Sequence, residues 1–149
     1  PDSLISKCLF SGYLNSSDIV TKLHLVSKRI QSIAGETVKM LDLRRFKLKP
    51  SDVELIASRY VNLSHLDFNY CTGFSSDHLS KLQPLSNKLR TLRLRGSSVD
   101  DDALENFLRV CVEKDGFCKL EELDLSAVNI EGTQLIGDGA VKSIAVSNQ

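Results

Sequence analysis

The amino-acid sequence predicts an α/β solenoid, with parallel strands lining a concave side and helices covering the convex side, preceded by a small helical bundle. Three observations carry this expectation. Four segments share an apolar-x-x-Leu-x-apolar pattern, with Leu41, Leu66, Leu92 and Leu123 spaced 25, 26 and 31 residues apart. Self-similarity at such a period marks an array whose units bury their apolar faces against one another. Helical patterns fall between the strand patterns, and residues 1–34 carry no copy of the repeat.

Bulk composition sets the limits. The chain has 149 residues, 42% hydrophobic and 26% charged, with 19 basic against 19 acidic side chains. A balance of this kind speaks against a nucleic-acid partner, which draws on a basic excess. No run approaches the roughly 20 apolar residues a spanning helix needs, and the start lacks a secretory signal pattern. A soluble protein of the cytoplasm or nucleus, without membrane contact, is expected. Cys8, Cys71, Cys111 and Cys118 read as reduced thiols, because a domain of this size needs no disulfide staples. The chain opens on Pro1 and closes just after a helical pattern at Ala140, Val141 and Ile144, so it reads as an excerpt of a longer protein.

Taken in order, residues 1–35 form the first segment and residues 36–149 the array. In the first, Leu4, Ile5, Cys8 and Leu9 share one helical face, and Ile19, Leu23, Val26 and Ile30 share another. Asn15-Ser-Ser-Asp is the turn between them, and a short third helix follows. The first strand lies in VKMLDLRRFKL (38–48). Ser51-Asp-Val-Glu54 reads as a capping box for the helix carrying Leu55, Ile56 and Tyr60. The second unit, NLSHLDFNYCTGFSSDHLSKL (62–82), stops its strand at Cys71 and resumes as a helix. The third begins with LRTLRLRGSSV (89–99), after which Asp100 to Asp102 place acid at the N-terminus of a helix carrying Ala103, Leu104, Phe107 and Leu108. LEELDLSAVNI (120–130) opens the fourth.

Strands pack about 4.8 Å apart and helices about 10 Å apart, so an array with strands on one side must curve towards them. After each strand the chain turns a buried corner whose backbone groups need partners. Cys71, small and weakly polar, suits that corner. Phe46, Ser97 and Val128 occupy the equivalent places. Strand side chains alternate, so the neighbours of the core leucines face the concave surface. They are Met40, Asp42 and Arg44; His65, Asp67 and Asn69; Thr91, Arg93 and Arg95; and Glu122, Asp124 and Ser126. Across the strands the middle row reads Asp42, Asp67, Arg93, Asp124. Arg93 thus falls between two carboxylates in a self-neutralising series, while Arg90 and Arg95 are candidates for an acidic or phosphorylated target. Arg44-Arg-Phe-Lys-Leu-Lys49 reads as a solvated basic edge.

Leu-x-x-Leu-x-Leu at this period resembles the leucine-rich repeat family, and Cys71 to Leu79 resembles its cysteine-containing subtype. The first segment resembles the F-box. Pro1-Asp-x-Leu-Ile, Phe10-x-x-Tyr-Leu14, Asp18-Ile-Val and Leu25-Val-Ser-Lys-Arg29 follow the F-box motifs in order. It departs from them in an insertion around Leu9 to Gly12 and in Ile30 where the family carries Trp. The two together are similar to the F-box/leucine-rich-repeat proteins. That resemblance implies an F-box docked on a Skp-type adaptor, the adaptor hung from a cullin scaffold, and repeats holding a protein target for ubiquitination. The chain would then act through proximity and do no chemistry of its own. Carried over residue by residue, the adaptor face comprises Pro1, Leu4, Ile5, Leu9, Phe10, Leu14, Ile19, Leu23 and Ile30.

Other chemistries find little support. His24, His65 and His78 have no ligand neighbours at zinc spacing, and no phosphate loop or nucleophile elbow occurs. Neither enzyme activity, metal nor cofactor is expected. The alternative reading is a repeat scaffold in a stable assembly, with the N-terminal helices serving only as its cap.

Overall fold

A computed structural model describes residues 18–19, 27–115 and 119–125. Within them the architecture is α/β: one four-stranded parallel sheet, in sequence order β1-β2-β3-β4, with helices in the connections. The elements are α1 (Lys28–Thr37), β1 (Met40–Asp42), α2 (Asp52–Arg59), β2 (His65–Asp67), α3 (Ser76–Lys81), a 3-10 turn (Gln83–Leu85), β3 (Thr91–Arg93), α4 (Asp101–Asp115) and β4 (Glu122–Asp124).

The strands are short, and their register is the one the leucine spacing predicts. Leu41 pairs with Leu66, Leu66 with Leu92 and Leu92 with Leu123. Leu41 and Leu92 are fully buried and Leu66 almost so. The helices close over them from one side with Val53, Ile56, Leu79, Leu104, Phe107 and Leu108, all in the same core. Each such leucine stabilises the fold by about 1.5–3 kcal/mol through burial. Among the described residues, no element covers the other side of the sheet.

The strands β1, β2 and β3 leave through the same turn. Arg45, Tyr70 and Gly96, one repeat apart, all adopt left-handed backbone, with φ of 60°, 58° and 74°. Glycine is required at the third, because a Cβ on Gly96 would stand 2.9 Å from the Tyr70 ring. The corner residue follows. Cys71 is 5% exposed, its thiol donates to the Leu43 carbonyl at 2.8 Å, and its amide donates to Phe68 O at 3.0 Å. The Leu43 carbonyl, which also accepts from Phe46 N, is the buried group a small polar side chain was expected to serve. Burial pushes the Cys71 thiol up to about 11. In the equivalent corners Phe46 is half-buried, and the buried Ser97 hydroxyl meets no partner. Val128 lies outside the described residues.

Further bonds tie each unit to the next: Ser64 Oγ to Lys39 O at 3.1 Å, Asn62 Nδ2 to Glu36 O at 2.9 Å, and Lys88 Nζ to Val61 O at 2.7 Å.

Two local expectations need correction. The capping box at Ser51 does not form: Ser51 is itself in helical backbone without a side-chain cap. The Asp52 carboxylate accepts from the Lys49 amide, ahead of the helix, at 2.8 Å. The reciprocal arrangement occurs instead at α3, where His78 Nδ1 accepts from the Ser75 amide at 3.2 Å and lies 2.9 Å from Ser75 Oγ. Secondly, Ile19 and Ile30 do not share one continuous helix. Ser27 is extended (φ −166°, ψ 154°) and N-caps α1, its hydroxyl accepting from Ile30 N at 3.2 Å, because a serine side chain competes well for free amides at a helix start. Residue 35, the end of the first segment, lies in α1, which runs to Thr37. Ile33, Ala34 and Gly35 of that helix are buried, and Gly35 allows close approach to α2, since a Cβ there would lie 2.5 Å from Arg59 O. Asp100 caps α4 as expected, accepting from Ala103 N at 2.8 Å.

Candidate functional site

The open face of the sheet is built by alternation. In β1 the leucine points inward and Met40 and Asp42 point outward; β2 and β3 repeat the arrangement with His65 and Asp67, and Thr91 and Arg93. The first row across the face is Met40, His65, Thr91, Glu122, and the second is Asp42, Asp67, Arg93, Asp124. Arg44, Asn69 and Arg95 form a third, held by Arg45 N to Asn69 O at 3.0 Å and Tyr70 N to Arg95 O at 2.6 Å. Sequence alternation therefore finds the face and its rows, while Ser126 lies outside the described residues.

The pairing of charges differs from the expected series. Asp42 and Asp67 sit directly side by side, an arrangement that costs energy unless each is neutralised. Arg44, two residues further on and past the end of β1, covers Asp42 with bonds of 2.6–3.1 Å. Its guanidinium holds the Asp42 carboxyl below the ordinary range, against a smaller opposing effect of burial. Arg93 does bridge two carboxylates, but they are Glu122 and Asp67. It grips Glu122 in a two-toothed contact at 2.7 and 3.1 Å and reaches Asp67 at 3.4 Å. Glu122 lies two residues before the register partner Asp124, and its carboxyl is lowered by the Arg93 guanidinium. Arg90 pairs with Glu121. It is thus already engaged within the chain.

Two other polar positions are committed to the frame. The Asn69 side-chain oxygen accepts from Arg95 N at 2.8 Å, and His65 Nδ1 lies 2.8 Å from Ser64 Oγ. What the face offers outward is the Met40 side chain, 63% exposed, together with the paired charges around it. Among the described residues no three His, Cys, Asp or Glu side chains gather to hold a metal ion, and no helix is long and apolar enough to cross a membrane.

Tyr70 is a surface feature that strand alternation does not find. It is 47% exposed, with the Arg95 guanidinium 5.6 Å from its ring centroid. The signal was present: Gly96 in the same row marks a left-handed position, and a large residue at such a position projects outward.

Of the nine residues proposed for an adaptor face, Pro1, Leu4, Ile5, Leu9, Phe10, Leu14 and Leu23 lie outside the described residues. Ile19 is 5% exposed within the core, and its carbonyl accepts from Tyr60 Oη at 3.0 Å, so little of it is left for a partner. Ile30 packs, half-buried, on the same core.

No family model matches the chain, and no curated protein matches it either.

Proposed function

We propose that the chain is a non-catalytic leucine-rich-repeat solenoid that serves, in the cytoplasm or nucleus, as the substrate-recognition subunit of a cullin-RING ubiquitin ligase. In this reading its N-terminal segment docks on a Skp-type adaptor as an F-box, and the strand face holds a protein target. The observation that carries the solenoid part is the strand order β1-β2-β3-β4 with four leucines in register and one face left open. The adaptor part rests on the order of motifs from Pro1 to Arg29. Co-purification tests it: a Skp-type adaptor co-elutes with the chain, and the L4E/L9E variant loses it. Co-elution unaffected by those changes would remove the ligase reading.

A second reading, a scaffold subunit of a stable complex unrelated to ubiquitination, is favoured by Ile19 and Tyr60. Their buried contact is what an N-terminal segment acting only as the array's cap would make. A pull-down distinguishes the two, cullin being recovered under the first and a fixed set of other subunits under the second.

A further inference from the structure

We draw no further inference here: the strongest candidate, the shallow groove where α1 meets the end of α2, lined by Lys28, Ser32, Glu36, Arg59 and Val61, mixes charges of both signs, and nothing in the structure shows what covers it.

Discussion

Cys71 and Ser97 turn the same corner in neighbouring units, yet only the thiol reaches a carbonyl. The C–S bond is longer than C–O, so cysteine spans the gap to Leu43 O, whereas the serine hydroxyl stays orphaned in a buried site. An unmet buried hydroxyl costs about 1–3 kcal/mol. C71S is therefore expected to lower stability by that order by creating a second orphan, and S97C to raise it. Urea unfolding monitored by circular dichroism measures both, and a stabilising C71S would contradict the account. That Cys71 serves the corner was legible from its position after the strand. The orphaned state of Ser97 was not, because it depends on a fraction of an ångström between units.

At the scale of an element, the start of α3 is a pH-sensitive cap. His78 is 8% exposed, and its Nδ1 must be unprotonated to accept from the Ser75 amide. Burial is the main cause holding its imidazole below the usual value of 6.5; Lys81 adds to this, and Asp77 and Asp52 oppose it. The sign follows from linkage. Above 6.5 the imidazole is neutral in both states and nothing is lost. As pH falls through 6.5 the unfolded chain takes up a proton that the fold resists, and stability drops until the lower folded value is passed. The urea midpoint is expected to fall between pH 7.5 and 5.5, and H78Q, whose amide oxygen still accepts, to show a shallower fall. An unchanged slope in H78Q would refute the assignment. Helix starts were legible in kind, since Ser, Asp and Asn cluster there. Which side chain caps was not: at α2 Ser51 entered helical backbone and makes no side-chain cap bond, while at α3 the reciprocal partner is His78.

At the largest scale, strand order equals sequence order among the described residues, so each strand pairs with its neighbours in sequence. Energetic coupling should follow that order. Leu66 and Leu92 are register partners, whereas Leu41 and Leu92 are two strand spacings apart, about 9.5 Å. Single valine replacements at Leu41 and Leu92 are expected to add within about 0.5 kcal/mol, while those at Leu66 and Leu92 deviate by more. A double-mutant cycle by urea unfolding checks this, and strong Leu41–Leu92 coupling would indicate a core that is not arranged unit by unit.

The amino-acid sequence alone determined the strands, their register and the rows of the open face, because a repeating leucine in a two-residue alternation admits one parallel pairing that turns every copy to the same side. It did not determine who pairs with whom on that face. Arg93 reached Glu122 in preference to Asp124, Arg44 turned back on Asp42, and Ser27 ended the continuity between Ile19 and Ile30. Long charged side chains and helix ends have several partners within reach, and the choice among them is made by distances of an ångström or less, which exist only once the units are packed.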